Sequence, residues 1–245
     1  MVEYEVFTNY AVRYINDVPV LNRCQLEDIA ERILAEFMPT AAASQTPISI
    51  ECLIEKFGLY LDFQTLQPDG SILGETIFHD GYREVFNDES FEPEIIRVKP
   101  GTIILDAFMI ENMETRTAFT EAHEFGHWLL HKAFYNATTK RACRTHQRQQ
   151  LYFPHRQART PIEWTEWQAN TFAAAILLPR SALRITLQEF LNNNDMTWRT
   201  LSDFSKYSSR LKYIELLDTI AQTYRVSVGT ARIRMNKLCN ISFPR

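Results

Sequence analysis

The chain has 245 residues, 45% of them hydrophobic and 23% charged, with a formal net charge of -4. A chain of this length can bury a full core and needs no disulfide or metal merely to fold. The composition excludes a collagen, a coiled coil and a wholly disordered chain, and the small negative charge offers no global attraction to nucleic acid or anionic membrane. Residues 1–20 lack a basic start followed by an apolar stretch, so no secretory signal is expected. The longest strongly apolar runs are about half of the roughly 20 residues that a membrane span needs. A soluble, cytoplasmic protein is expected. Cys24, Cys52, Cys143 and Cys239 are scattered without a C-x-x-C pair, as free thiols of a reducing compartment would be.

Residues 20–38 carry Leu26, Ile29, Ala30, Ile33, Leu34 and Phe37 at helical spacing, and Pro39 is expected to close that helix. Residues 40–47 are small and polar and read as a connection. A short helix is expected over 48–57, with Gly58 as its stop, and then a strand over Leu59–Phe63. Between Ile72 and Phe108 the segments ILGETIF, YREVF, EIIRV and TIILDAF are separated by HDG, NDES and KPG, with PDG before the first. They predict a small antiparallel sheet. A helix over Met113–His131 follows, then a polar stretch, Lys132–Arg159. A second helix runs from Pro161 to about Leu178, closed by Pro179. The remainder is mostly helical, with a polar break at Asn192–Asp195. Residues 125–162 hold seven Lys/Arg and no Asp/Glu, and residues 219–245 hold five and none.

The strongest chemical signal is His123-Glu124-Phe125-Gly126-His127. Imidazoles four residues apart lie about 40° apart around a helix and about 6 Å along it. Both can therefore reach one Zn²⁺ at the roughly 2.0–2.1 Å of zinc–nitrogen bonds. Glu124 stands beside the metal, placed to take a proton from its water. A catalytic zinc also needs a third protein ligand and an open position. The second helix offers Glu163 and Glu166. Glu163 has a structural role in a capping box, with Thr160 as cap and Pro161 at the first helical position. Glu166 has no such local role, and Ala169, Asn170 and Ala173 on its face let another helix come close. Glu166 is the expected ligand. His131 continues the four-residue spacing but lies about 12 Å along the axis from His123. It reads as a helix C-terminal histidine favoured by the macrodipole. Cys143, His146 and His155 read as exposed loop residues, although they could approach the metal or a substrate carbonyl.

Two blocks carry a resemblance. RTAFTEAHEFGHWLLH (Arg116–His131) and EWQANTFAAAILLP (Glu166–Pro179) together resemble the ImmA/IrrE-type zinc metallopeptidases of bacteria and their mobile elements. The likeness extends more loosely from about Ile48 to the C-terminus and does not cover the first 45 residues. It implies an α+β fold: a zincin-like metallopeptidase domain with a small antiparallel sheet at 47–180. An N-terminal helical extension (1–46) would precede it, and a C-terminal helical, helix-turn-helix-like region (181–245) would follow. It implies metal ligands at His123, His127 and Glu166, a general base at Glu124 and one Zn²⁺ per chain; Mn²⁺ or Fe²⁺ could occupy the same donors. The implied activity is that of a gluzincin-like endopeptidase. Its protein substrate would be a helix-turn-helix repressor of a mobile element or stress regulon. Ile176 departs from the family block, where a polar or charged residue before Leu-Leu is frequent, and the long linker Lys132–Arg159 departs further. Tyr152 and His155 are the candidates for stabilising the transition state or touching substrate.

The segment YIELLDTIAQTYRVSVGTARIRMNKL (Tyr213–Leu238) reads as two helices joined by a tight turn, with Ser227 capping the second. Arg232, Arg234 and Lys237 would decorate that helix, suited to phosphates. The same segment could instead be a packing module or a hold on the protein substrate. Two other functions compete with the endopeptidase. One is a regulatory binding protein, DNA-binding or part of a toxin–antitoxin pair, with a non-catalytic metal. Glu124 argues against it, because a purely structural zinc needs no adjacent base. The other is a peptidase for small peptides. The basic stretch, with Lys140, Arg141 and Arg144, would suit an acidic substrate segment.

Overall fold

The computed structural model describes residues 6–7, 11–108, 114–137, 143–146, 160–203 and 205–238. The chain opens with a hairpin of two short strands that the periodicity did not predict, β1 (Tyr14–Ile15) and β2 (Val18–Pro19). Its turn residues Asn16 and Asp17 both take positive φ, 51° and 64°, which short Asx side chains tolerate in a two-residue hairpin loop. Helix α1 (Arg23–Phe37) follows as expected. Pro39 does more than close it. It stands at the first position of a further short helix, α2 (Pro39–Ala43), because a missing N–H costs nothing there. The predicted connection over 40–47 is to that extent corrected. Helix α3 (Ile50–Lys56) begins at Ser49, whose hydroxyl accepts from the Cys52 amide. Gly58, at φ 68°, then turns the chain into β3 (Tyr60–Gln64).

The four middle segments all form strands: β4 (Ile72–Thr76), β5 (Gly81–Phe86), β6 (Pro93–Val98) and β7 (Thr102–Asp106). Their arrangement corrects the single antiparallel sheet expected from sequence. Strands β4 and β7 join β3 and β8 (Arg144–His146) in a four-stranded sheet in the order β3-β7-β4-β8, while β5 and β6 form a separate two-stranded ribbon, with Phe86 of β5 making one isolated bridge to Thr65. Strands β3 and β7 are parallel and the other pairs antiparallel. Alternation identifies a strand but carries no information about its partner. The position of β7 is legible only afterwards: Ile103, Ile104 and Leu105 are all wholly buried, the continuous apolar run of a strand covered on both faces.

The remaining elements are α4 (Glu114–Asn136), α5 (Pro161–Leu177), α6 (Arg180–Asn193), α7 (Trp198–Leu201), α8 (Tyr207–Tyr224) and α9 (Val228–Leu238). No helix among the described residues is long and apolar enough to cross a membrane. Cys24, Cys52 and Cys143 are free thiols. Two compact units divide the chain, residues 1–29 with 49–173 and residues 30–48 with 174–245. The first contains all three sheets and the core of Leu66, Ile72, Ile77, Val85, Val98 and Ile104.

In the second unit, α8 ends where Arg225 takes a left-handed conformation, φ 52°. The Ser227 hydroxyl then accepts from the Thr230 amide as α9 begins. Tyr213, Leu216, Ile220, Tyr224, Ala231 and Met235 are buried, so the expected helix pair and its turn are present. Arg234 is a correction. It is buried, and its Nε donates to the Leu178 carbonyl at 3.0 Å, so its guanidinium is committed to packing rather than to a phosphate. Arg232 is exposed and Lys237 half-buried. Ile176, the departure from the family block, is wholly buried and acts in packing.

One carboxyl in the first unit has a measurable signature. Glu121 of α4 is pushed up to about 7, chiefly by burial and secondarily by Glu51. The folded protein therefore holds this proton more tightly than the unfolded chain does. Stability should fall as pH rises from about 4.5 to about 7 and then level off. Glu121→Gln is expected to stabilise the metal-free protein by about 2 kcal/mol at pH 8, after a discount for partial exposure, and by nothing at pH 4. Urea unfolding at both pH values checks this; an equal gain at both would contradict it.

Candidate metal centre

The site is assembled from two helices and one sheet of the first unit. Phe125 anchors α4 by packing edge-on against Phe57 at 5.1 Å between ring centroids and tilted against Phe172 of α5 at 6.2 Å. Gly126 is required by the same contact. A Cβ there would lie 2.9 Å from Phe172 Cδ1 and 3.6 Å from Ala169 Cα, so only glycine lets the two helices approach this closely. The small residues Ala169 and Ala173, both wholly buried, act as expected. At the start of α5 the capping box is complete. The Thr160 amide donates to Glu163 at 2.9 Å, and the Glu163 amide donates to the Thr160 hydroxyl at 3.2 Å.

Glu166, one turn further in, meets the two histidines. His123 Nε2 lies 3.3 Å from Glu166 Oε2, His127 Nε2 lies 3.2 Å from Glu166 Oε1, and the two Nε2 atoms are 2.9 Å apart. Among the described residues these three form the group whose donor atoms could hold a metal ion, all within 4.8 Å of one another. Both histidines are wholly buried and Glu166 is 4% exposed. Two features show that a cation fits. Three corners of a tetrahedron around an ion with bonds of roughly 2.0–2.1 Å lie about 3.3 Å apart, close to the spacings observed. Glu166 Oε2 is also buried without a hydrogen-bond partner, a costly state for a carboxylate oxygen.

The surroundings orient the donors. Asn170 Oδ1 lies 3.1 Å from His123 Nδ1; an amide oxygen only accepts, so Nδ1 donates and Nε2 is turned to the shared point. His127 Nδ1 lies 3.1 Å from His131 Nδ1. His131 is thus another correction. Helix α4 runs on to Asn136, and His131 is wholly buried in it rather than placed at its end. Burial first, and then His127, hold its pKa well below the ordinary histidine value.

Burial opposes ionisation of Glu166, but His127 and His123 outweigh it and hold its pKa well below the carboxylate range. Burial likewise opposes the charged form of His123, and Glu166, Glu124 and Asn170 outweigh it and raise its pKa. Glu124 differs: burial dominates over the two histidines and pushes its carboxyl upward, the direction a proton acceptor working near neutral pH requires. The hydroxyls of Thr76 (2.6 Å to Oε2) and Thr145 (2.5 Å to Oε1) each donate to one of its oxygens. Gly74 of β4 leaves room for it, since a Cβ there would lie 3.0 Å from Glu124 Cγ and Oε1.

Sequence reasoning missed Thr76, Thr145 and Gly74. The first and last lie inside the correctly read segment ILGETIF, but nothing in its alternation aims them at Glu124. Thr145 lies on β8, a strand that was not expected. Cys143, read as an exposed loop residue, is buried, and burial raises its thiol pKa well above the ordinary value. Arg144 is engaged by Glu75, Nε to Oε2 at 2.8 Å, with Arg83 on the other oxygen at 2.6 Å. Tyr152, His155, Lys140 and Arg141 lie outside the described residues, as does the side chain of His146.

The chain matches the IrrE N-terminal-like domain, a peptidase family, over residues 110–236, just over half of its length. The chain belongs to this family. The IrrE-like stretch contains all of α4, α5, α8 and β8, and with them His123, Glu124, His127 and Glu166. Peptidases of this family are metal-dependent, in keeping with the donor cluster. The β1–β2 hairpin and strands β3 to β7 precede the matched stretch. No curated protein matches the chain significantly.

Proposed function

We propose that the protein is a zinc-dependent endopeptidase of the gluzincin type, acting on a protein substrate. The observation that carries this reading is the buried convergence of His123, His127 and Glu166 with Glu124 beside them. The two imidazoles and the Glu166 carboxylate would hold the cation and leave a position open. When bound, Zn²⁺ supplies Lewis-acid chemistry, lowering the pKa of water to about 7 and polarising a scissile carbonyl. Glu124 accepts the proton of the attacking water and later returns it to the leaving amine. Thr76 and Thr145 keep its carboxylate aimed while it does so, and Asn170 fixes the ring of His123.

The family resemblance points to a helix-turn-helix repressor as substrate. The α8–α9 pair would then serve to hold that repressor. With Arg234 buried, α9 has few cations left for a phosphate backbone, which disfavours the DNA-binding alternative. The test is incubation of zinc-loaded protein with purified helix-turn-helix repressors of the same organism. Discrete fragments that a chelator abolishes are expected; repressors that all stay intact would contradict the substrate assignment.

A further inference from the structure

Resting on the metal reading above, we propose that His131 is a positioning residue for His127, and that the N-terminal hairpin belongs to the metal centre through it. The argument starts at the Pro19 carbonyl of β2, which can only accept a hydrogen bond. Gln168 Nε2 donates to it at 2.6 Å. The other end of that amide, Oε1, therefore faces His131 Nε2, at 3.2 Å. Because Oε1 only accepts, His131 carries its proton on Nε2 and presents a bare Nδ1. That Nδ1 accepts from His127 Nδ1 at 3.1 Å. A neutral His127 that donates through Nδ1 has its lone pair on Nε2, the atom turned toward Glu166 and His123.

Reversing one amide reverses the whole chain. If Gln168 presented its NH₂ to His131, that ring would be protonated on Nδ1 and would donate to His127. The proton of His127 would then sit on Nε2, pointing at the place a cation must occupy. The Pro19 carbonyl excludes that arrangement. All four groups are buried, so water does not compete for these bonds. His123 obtains the same service from Asn170 in one step; His127 needs a relay of three groups. Pro19 lies outside the matched residues 110–236, so this part of the centre comes from a segment that the family match does not cover.

Equilibrium competition for zinc against a chromophoric chelator tests the relay. Gln168→Leu and His131→Leu are each expected to weaken zinc binding ten- to a hundredfold, the usual cost of losing an outer-shell partner. Leu130→Met, in an equally buried neighbour on α4, loosens packing without touching the relay and should leave affinity unchanged. A measurement on the zinc-loaded wild type requires no variant to fold: ¹⁵N spectra of the histidines should show the proton of His131 on Nε2 and that of His127 on Nδ1. Undiminished affinity in the folded leucine variants, or a proton on Nδ1 of His131, overturns the relay alone. A wild-type protein that takes up no zinc overturns the metal reading and the relay together.

Discussion

Glu166→Ala is expected to weaken zinc binding by at least about a hundredfold and to abolish cleavage. Two imidazoles whose Nε2 atoms lie 2.9 Å apart can share an ion, but they bring no negative charge to it. Glu166 supplies that charge and the third corner of the donor triangle. Its loss exceeds the ten- to hundredfold effect of removing an outer-shell partner, which only orients a ligand. Glu163→Ala is the informative comparison. Glu163 is three residues away on the same helix, but it is bonded to the Thr160 amide. Its removal should cost about 1 kcal/mol of stability through the lost capping interaction and leave zinc affinity unchanged. Chelator competition on both variants separates the two glutamates; equal affinities would show that Glu166 is not a ligand.

Glu124→Gln should have the opposite profile, with zinc retained and turnover lowered by about 10²–10⁴. The amide is the same size as the carboxylate, so the fit beneath Gly74 is kept. Thr76 and Thr145 each donate to one carboxylate oxygen, and a hydroxyl can rotate to accept from the new NH₂ group. What disappears is the capacity to take up a proton. Metal content and turnover, measured on one preparation, check this. Unchanged turnover would remove Glu124 from the chemistry and favour a binding protein with a non-catalytic metal.

What sequence could reveal here followed from what is local. His123 and His127 share a helical face by spacing alone, and the capping box isolated Glu166 by giving Glu163 another role. Ala169 and Ala173 were legible as small residues that admit another helix, but the matching role of Gly126 was not. His131 was misread because the end of α4 was placed five residues early, at His131 rather than Asn136; helix ends are weakly encoded where no glycine or proline marks them. The partners of Glu124 were not legible, because Thr76 and Thr145 arrive from strands whose pairing is set by tertiary packing. The same holds for Pro19, 149 positions from Gln168, whose backbone carbonyl leaves no trace in side-chain pattern.

X-ray absorption at the zinc edge of the loaded wild-type protein probes the inner shell directly. Two imidazoles, one carboxylate and at least one light solvent donor are expected, with every bond near 2.0–2.2 Å. A sulfur neighbour at about 2.3 Å, or a shell filled by protein donors with no place for solvent, would contradict a hydrolytic centre built on His123, His127 and Glu166.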